Sequence, residues 1–485
     1  MTALLRARST PSLRSVAQGR LEFCTRLFAL LIAASAAAQS APRIQLSHTT
    51  ESLRGVSAVS RQIAWASGTH GTYLRTVDGG RTWNSAQVPD ATQLDFRAVV
   101  AFDANEAFLM SAGPGDQSRI YHTTDAGRHW QMQFTNTNPK GFFDSMVFWD
   151  RTHGIVLGDP IPDDSPENST KDESGKLKFQ LLLTDDGQTW RPIPPSQLPP
   201  ALAGEGAFAA SNTCIAILTA EAALKSAAAN STSIVASTPT VAIPTGFVST
   251  SVVIPRSEAT RNLLSAETIT IASAATMPAE PWKSGASAPR QPDEEKGASA
   301  PNPNIWFATG GRAARVFHSP DRGQTWQVFD TPILHGPDSA GIFSIAFRDA
   351  LHGVIAGGDY KYPNDDGPNL AFTDDGGKTW TLSTVHPLAY FSGAAYDRSM
   401  NQAAILQQQN RARAESAGKK TRVKPASPQR LFLVGQDFIF DFLPPANPAR
   451  IAPEKKLGIK FNAVSSYPRG GALIVGPKGA IVSVP

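Results

Sequence analysis

Thr76-Val77-Asp78-Gly79-Gly80-Arg81-Thr82-Trp83 is the stretch that decides the fold, because the chain of 485 residues contains five copies of it. The other copies begin at Thr123, Leu183, Ser319 and Thr373, and all follow the pattern Ser/Thr-x-Asp-x-Gly-x-Thr-Trp, with Leu183 and His129 as departures. The Asp can accept hydrogen bonds from loop N–H groups, the Gly takes the positive φ of a chain reversal, and the Thr hydroxyl adds a local bond. The Trp then leaves on the next strand and can bury a large surface against a neighbouring repeat. Five copies indicate an array of hairpin repeats.

The recurring carboxylates also raise the possibility of metal ligation or paired-carboxylate catalysis. Each Asp has local donors and lies in a separate repeat, so we interpret the motif as structural and predict neither a metal nor a cofactor. The residues assigned this structural role are Asp78 and Trp83, Asp125 and Trp130, Asp185 and Trp190, Asp321 and Trp326, and Asp375 and Trp380.

The motif resembles the Asp-box, or BNR, repeat of β-propellers. That repeat occurs in sialidases, other glycoside hydrolases, sortilin-like receptors and the photosystem II stability/assembly factors. The resemblance implies that the boxes lie between the outer two strands of each blade, away from the functional face. It is informative about the fold and says little about chemistry.

Between the boxes, short apolar runs alternate with Gly, Asn and Asp, which is an all-β pattern. Each repeat opens with a strand that carries a small residue at a fixed place, and only small side chains fit near a propeller axis. These positions are Gly55, Ala98, Ser145, Ala207, Ser344, Gly393 and Ala463. The sequence therefore predicts an all-β, seven-bladed β-propeller with Asp-box turns and four-stranded blades.

The last repeat holds only three strands before Pro485. We expect the segment Arg43 to Ser47 to supply the fourth strand, pairing with the strand around Ala480 to Val484 and removing the open edge of the ring. Ile44 and Leu46 alternate with polar neighbours, which is typical of a half-buried edge strand. The predicted propeller spans residues 39–485.

The N-terminus has the layout of a secretory signal peptide, predicted over residues 1–38. Five arginines precede an apolar run from Leu27 to Ala38, and a small-residue site closes it. The run is short for a membrane span. We expect an exported, soluble protein, periplasmic or secreted, and a monomer.

Charge and cysteine content exclude several classes of function. The chain has 45 Lys and Arg against 41 Asp and Glu, and the predicted signal peptide holds five of the arginines and one acid, so the remainder is balanced. This balance does not favour nucleic acid as a partner. Without the signal peptide, Cys214 is the single cysteine. Its apolar strand setting predicts an inert core thiol.

Two stretches do not fit the blade pattern. Residues 221–303 are rich in Ala, Ser, Thr and Pro, and are predicted to be a disordered insertion in blade four. Residues 401–429 carry a run of Arg and Lys and are predicted to be a basic loop insertion in blade six. A solvated loop is the preferred interpretation of that run, and an acidic partner is the alternative.

The residue before each small position is expected at one mouth of the ring. The uncharged members of this set are Gly206, Phe343, Ser392 and Asn462. Its charged members are Arg54, Arg97 and Asp144, and Glu205 lies next to Gly206. Asp159 and Asp359 lie at the far ends of two second strands, within the echoed stretches Asp150–Asp159 and Asp349–Asp359, and are expected at the same mouth. The six residues form either an anion-binding site for a chain terminus or other anionic group, or a set of charges that pair with one another.

Outside the boxes, Arg54-Gly55-Val56-Ser57-Ala58-Val59, Ile63 to Gly68 and Gly71 to Thr76 resemble the photosystem II stability/assembly-factor family of exported propellers. The resemblance covers residues 50–195 and 304–385. It implies a client protein bound through a basic patch, which here maps onto Arg54 and Arg97. An exported, non-catalytic binding or assembly module is thus the first hypothesis. A carbohydrate-active hydrolase, sialidase-like or of another BNR type, is the alternative, with Asp159 and Asp359 as its catalytic pair and carbohydrate as its ligand.

Overall fold

The computed structural model describes residues 42–165, 176–218, 303–384, 389–398, 430–435, 438–442, 452–454 and 459–485. The predicted signal peptide at 1–38, the basic loop at 401–429 and the insertion at 221–303, apart from Pro303, lie outside the described residues. Within them, strands and turns predominate, and the helical segments are two short 3-10 turns, Gly115–Gln117 and Pro195–Gln197. No helix in these ranges is long and apolar enough to cross a membrane.

The first four blades are antiparallel sheets, each built mostly from consecutive strands. Blade one comprises β2 (Leu53–Ala58), β3 (Ala64–Gly68), β4 (Thr72–Thr76) and β5 (Asn84–Gln87). Blade two comprises β6 (Phe96–Ala101), β7 (Ala107–Ser111), β8 (Arg119–Thr123) and β9 (Gln131–Thr135). Blade three comprises β10 (Phe143–Phe148), β11 (Gly154–Pro162), β12 (Leu177–Thr184) and β13 (Arg191–Pro192). Blade four comprises β15 (Ile215–Leu218), β16 (Asn304–Ala308), β18 (Arg315–Ser319) and β19 (Gln327–Asp330).

A six-stranded sheet follows blade four, with the order β14-β17-β20-β21-β22-β23. Its strands are β14 (Glu205–Gly206), β17 (Gly310–Gly311), β20 (Ala340–Phe347), β21 (Gly353–Asp359), β22 (Leu370–Thr373) and β23 (Thr381–Leu382). The next blade comprises β24 (Gly393–Tyr396), β25 (Leu431–Gly435), β26 (Phe438–Phe442) and β27 (Ala452–Glu454). The closing blade comprises β28 (Ala463–Ser466), β29 (Ala472–Gly476), β30 (Ala480–Val484) and β1 (Arg43–Gln45).

The predicted seven four-stranded blades are therefore wrong in number. The described residues form six four-stranded blades, and the remaining sheet has six strands. The two extra strands are residue pairs, too short to give a sequence pattern. They add to β20 because glycines let the backbones approach closely: a Cβ at Gly341 would lie 2.3 Å from the Cα of Gly310.

The innermost strands form a closed ring in the order β2, β6, β10, β15, β20, β24 and β28, and β28 returns to β2. The predicted need for small residues holds at Gly55, where a Cβ would lie 2.6 Å from Ser67 Oγ and 3.0 Å from the carbonyl oxygen of Arg97. It fails at Ala207, because the innermost strand of blade four is β15. Cys214, just before β15, is the buried residue there, and its Sγ lies 2.8 Å from Ser145 Oγ in blade three.

The turn motifs have the predicted local bonds in four copies. In the first, Asp78 Oδ1 accepts from the Thr82 N–H at 3.0 Å, and Asp78 Oδ2 accepts from the Thr82 hydroxyl at 2.7 Å. Thr76 Oγ1 accepts from the Gly80 N–H at 3.0 Å. These bonds favour the ionised carboxylate, and the Thr82 N–H is the largest cause of a pKa near 2 for Asp78.

The third copy corrects the assignment of Asp185. Its loop is one residue shorter, and Asp186 accepts from the Thr189 N–H and from the Thr189 hydroxyl, both at 2.8 Å. Thr184 takes the place expected of Leu183, since its Oγ1 accepts from the Gly187 N–H at 2.9 Å. Asp185 instead pairs with Arg191 Nη2 at 2.7 Å.

Each motif tryptophan packs against the preceding sheet, as predicted. Trp83 joins a cluster with Tyr467 and Leu473 of the closing blade. The other four reach back in the same way, Trp130 to blade one, Trp190 to blade two, Trp326 to blade three and Trp380 to blade four. The tryptophans thus join consecutive sheets around the ring.

The N-terminal strand closes the ring, which confirms that prediction: Arg43 pairs with Ser483, and Gln45 with Ile481. The predicted burial of the strand is reversed. Ile44 and Leu46 are 67% and 70% exposed. Gln45 faces inward, and its Oε1 accepts from Trp83 Nε1 at 2.8 Å.

Candidate binding site at the mouth of the ring

Arg54 lies at a β-bulge between Leu53 and Gly55 in β2. The closing blade helps to fix this bulge, because Asn462 Nδ2 donates a hydrogen bond to the Leu53 carbonyl oxygen at 2.7 Å. The Arg54 side chain is half-buried, and its Nε is buried with no hydrogen-bond acceptor among the described residues. Burial and then the nearby Arg97 charge lower the pKa of Arg54. Arg54 is thus a cation with unused hydrogen-bonding capacity.

Arg97 occupies the equivalent place in β6 of blade two. Its Nε donates to Asp95 Oδ2 at 2.8 Å, and its Nη1 donates to the carbonyl oxygen of Ala209 at 3.0 Å. Asp95 was not predicted as a site residue. Its spacing of two residues from Arg97 places both side chains on one side of an extended chain, which is the signal that points to it.

Asp144 is 1% exposed in β10 of blade three. Its Oδ2 has no hydrogen-bond partner among the described residues. Burial raises the pKa of Asp144 well above its usual range, and the neighbouring Asp159 raises it further. The raised pKa favours the protonated form of Asp144, so this carboxyl offsets the charges of the arginines less than an ordinary aspartate would.

Asp159 lies at the bulge of β11, beside Asp144. Its Oδ1 accepts from the Ala207 N–H at 2.9 Å. Burial raises the pKa of Asp159 to about 6. This carboxyl titrates close to neutral pH and holds the segment that leads from blade three to blade four.

Glu205 does not join the arginines at the mouth, contrary to the prediction. Its carboxylate forms a buried, two-pronged pair with Arg315 of blade four, in which Arg315 Nε donates to Oε1 at 2.9 Å and Nη2 donates to Oε2. Thr309 Oγ1 donates to the same Oε1 at 2.6 Å. Glu205 lies in β14 at the edge of the six-stranded sheet. Both of its carboxylate oxygens accept hydrogen bonds from the protein, so they are not available to a ligand.

Asp359 is also engaged locally. It ends β21 and is 5% exposed, and its Oδ1 accepts from the Lys361 N–H at 2.9 Å in the following turn. No hydrogen bond or ion pair among the described residues joins Asp159 and Asp359. Asp159 accepts from the Ala207 N–H and Asp359 from the Lys361 N–H, so each carboxyl has its own local partner.

The other positions predicted at the mouth have structural partners. Ser392 Oγ donates to the Phe461 carbonyl at 3.0 Å, and Gly206 belongs to β14. Phe343 is buried and carries three aromatic neighbours. Its ring centroid lies 4.0 Å from Phe208, 4.7 Å from Tyr390 and 6.2 Å from Tyr360.

We call Phe208, Phe343, Tyr360 and Tyr390 the aromatic shelf. Phe208 and Tyr390 are half-buried, and Tyr360 is 48% exposed. Burial raises the pKa of Tyr390, while the charges of Arg54 and Arg97 lower it, which places the shelf beside the arginines. Neither tyrosine was predicted as a site residue, although Tyr360 directly follows Asp359.

Nothing in the described ranges forms a cluster of three or more His, Cys, Asp or Glu that could hold a metal ion. Cys214 is fully buried, and burial raises the pKa of its thiol to about 12. A thiol with that pKa is a poor nucleophile at neutral pH, which supports the predicted inert role. The site thus consists of Arg54, Arg97 with Asp95, the two buried carboxyls and the aromatic shelf.

Comparisons with known proteins support the resemblance inferred from the motifs. Residues 34–141 match the family described as "Photosynthesis system II assembly factor YCF48". A 66-residue segment is 35% identical to photosystem II stability/assembly factor HCF136, chloroplastic, of Arabidopsis thaliana, and covers 13% of this chain and 15% of that protein. The predicted resemblance to photosystem II assembly factors is confirmed over these residues.

Solved structures also align with the chain. A structure described as YCF48 bound to D1 peptide aligns with a TM-score of 0.48 and 13% identity, covering 92% of this chain and 95% of that one. YCF48 from Cyanidioschyzon merolae aligns with a TM-score of 0.32 and 15% identity, covering 92% and 99%. An ancestral GH74 enzyme aligns with a TM-score of 0.48 and 9% identity, covering 90% of this chain and 45% of the enzyme.

Proposed function

We propose that this chain is a non-catalytic binding module that holds a client protein through an anionic group at Arg54 and Arg97, in an assembly or stability role. The observation that carries the proposal is the half-buried Arg54 guanidinium, which has no hydrogen-bond or ion-pair partner among the described residues and whose Nε is buried without an acceptor. A buried donor on a charged group costs free energy unless a partner satisfies it. An anionic group of a client supplies that partner.

The charges at the mouth favour an anion. Arginine stays protonated at any physiological pH, so Arg54 and Arg97 contribute two positive charges. Asp95 contacts Arg97 and neutralises one of them. Burial raises the pKa of Asp144, which favours its uncharged form. A carboxylate is the anion that proteins supply most commonly, and arginine binds it through parallel N–H donors.

The matched segment supports the same function. Residues 34–141 contain β2 and β6, the strands that carry Arg54 and Arg97. Because the curated relative is matched over 15% of its length, its role in photosystem II is not transferred to this chain as a whole. The transferable part is the pair of blades that presents the two arginines.

We propose further that the module is exported and acts as a monomer in the periplasm or outside the cell, with the leader-like residues 1–38 as its export signal. Mass spectrometry of the mature N-terminus in an exporting host tests this directly. Cleavage after Ala38 is expected, and retention of residues 1–38 would contradict it.

The test of client binding compares two single-charge changes. Arg54→Gln is expected to abolish capture of an exported client by the mature chain, because it removes the unpartnered guanidinium. Arg43→Gln removes a charge from an exposed position on β1 and is expected to leave capture unchanged. Quantitative mass spectrometry of co-purified exported proteins at low and high salt is the measurement. Equal capture by the wild type and Arg54→Gln would refute the function.

A glycoside hydrolase is the second candidate, favoured by one observation. Asp159 has a pKa near 6, which suits a general acid or base, and it adjoins a second buried carboxyl, Asp144. Turnover of an aryl glycoside that disappears in Asp159→Asn would move this candidate into first place.

A further inference from the structure

We propose that the aromatic shelf selects clients whose chain ends in a bulky apolar residue. The inference rests on the proposed function and deepens it, because it names the class of chain terminus that the site accepts. A terminal carboxylate at Arg54 would place the last side chain over the shelf.

The chain itself provides a template for this arrangement. Phe208 stacks on Phe343 with an interplanar angle of 14°, and the next residue, Ala209, presents its carbonyl oxygen to Arg97 Nη1 at 3.0 Å. One dipeptide of the segment between blades three and four thus stacks a ring on Phe343 and offers an oxygen acceptor to Arg97. Arg97 and one face of the shelf are already used in this way.

The other half of the site repeats the same chemistry, and no described residue occupies it. Tyr390 lies edge-on to Phe343, with an interplanar angle of 87°, and the charge of Arg54 opposes the rise in the pKa of its phenol, so the two side chains are within electrostatic range of each other. Tyr360 lies at the outer side of Phe343, 48% exposed. Arg54 Nε has no acceptor among the described residues. In this half of the site, a client carboxylate takes the role that the Ala209 carbonyl has at Arg97, and an adjacent ring or branched side chain takes the role that Phe208 has at Phe343.

The charge and apolarity of the site identify the occupant as a polypeptide terminus. The carboxylate satisfies a buried cation, and the apolar side chain removes aromatic surface from water. An internal acidic residue would bring its own chain on both sides of the carboxylate, against the segment of Ala207–Asn212 that lies at the mouth. A terminus brings one chain only.

Fluorescence anisotropy of the mature chain with labelled hexapeptides tests the inference. The peptides share the sequence Gly-Ser-Gly-Ser-Gly-X, with X as Phe, Leu, Ala or Gly, and each is made as the free acid and as the amide. At low salt, the acids ending in Phe or Leu are expected to bind at least about tenfold more tightly than the acid ending in Gly, a ratio that corresponds to about 1.4 kcal/mol. The amides are expected to bind weakly whatever their last residue.

Two tyrosines of one loop supply a matched pair of variants. Tyr360→Ala is expected to reduce the preference for Phe over Gly by several-fold, because it removes one side of the shelf. Tyr362→Ala removes a 62% exposed tyrosine for which the structure describes no ring contact with Phe343, and is expected to leave the preference unchanged. Tyr360→Phe keeps the ring and is expected to restore the wild-type preference.

The outcomes separate the two proposals. Equal affinity for the four acids, with weak binding of the amides, would overturn the selection while leaving the anion site intact. Equal affinity of acids and amides, or no binding of any acid, would overturn the proposed function together with the selection. Binding of a neutral oligosaccharide such as cellohexaose, lost in Tyr360→Ala while the acids are ignored, would assign the shelf to carbohydrate.

Discussion

Arg97 Nη1 donates a 3.0 Å hydrogen bond to the carbonyl oxygen of Ala209, so a segment between blades three and four is anchored to blade two. The same segment is fixed to blade three by the Ala207 N–H on Asp159 and by Asn212 Oδ1, which accepts from the Met146 N–H at 2.7 Å. The two arginines at the mouth are therefore not equivalent. Arg97 holds the fold together, whereas Arg54 has hydrogen-bonding capacity to offer a partner.

The corrected turn assignment gives a sharp comparison of adjacent residues. Asp186→Ala is expected to lower the melting temperature, because it removes the acceptor of the Thr189 N–H and hydroxyl. Asp185→Ala is expected to change it little, since Asp185 makes an exposed pair with Arg191. Thermal unfolding followed by circular dichroism measures both. A larger effect at Asp185 would restore the assignment made from the motif.

The inward side of the N-terminal strand yields a second comparison. Gln45→Ala is expected to cost about 1–2 kcal/mol of unfolding free energy, because it leaves the indole N–H of Trp83 without its acceptor. Ile44→Ser is expected to lie within about 0.5 kcal/mol of the wild type, since Ile44 is 67% exposed. Urea titrations measure both values. A costly Ile44→Ser would show that the strand buries its apolar side after all.

The raised pKa of Asp159 predicts a pH dependence of stability. Between its ordinary value of 3.8 and about 6, the folded chain keeps a proton that the unfolded chain releases. Stability conferred by this group is therefore lost as the pH rises through that window. Asp159→Asn is expected to remove a fall of about 2 kcal/mol between pH 4 and pH 7.

Urea titrations of the wild type and Asp159→Asn across this pH range measure the difference. Asp164→Asn is the control, because it neutralises an exposed acid just beyond the end of β11. A pH profile of Asp159→Asn that parallels the wild type would contradict the raised pKa.

The insertion predicted over residues 221–303 can be tested by deletion. Leu218 and Asn304 are direct partners across β15 and β16, so a short Gly/Ser turn can join the two strands. The melting temperature is expected to stay the same or to rise by a few degrees, because a shorter loop costs less closure entropy. Limited proteolysis of the intact chain is expected to cut first within this stretch. A large loss of stability on deletion would show that the insertion is part of the fold.

The local parts of the fold were predictable from the sequence. The turn bonds involve residues two to four apart, so the motif contains both partners. The closing strand was predictable because an odd strand at one end needs a partner at the other. The burial of its side chains was not, because Gln45 turns inward to satisfy one distant indole, Trp83.

Long-range pairs explain the errors at the site. Glu205 and Arg315 are 110 residues apart in the sequence, so no local sequence pattern predicts their ion pair. Ala207 precedes a Phe, which matches the small-residue pattern of the opening strands. Its N–H instead donates a hydrogen bond to Asp159 of blade three, so Ala207 lies outside blade four. The aromatic shelf was missed for the same reason, since its four rings come from well separated segments that meet only in the closed ring.

Closure by β1 has a consequence for the order in which the chain assembles. β1 leaves the ribosome or export channel first, and its partner β30 emerges last. Most sheets are made of neighbouring strands and can form while synthesis proceeds, but the ring stays open until the final hairpin arrives. Until then β1 has no partner strand, and its free edge is a surface on which another copy or a chaperone can pair. Synthesis of β30, and not the formation of any single sheet, is thus the event that closes the ring.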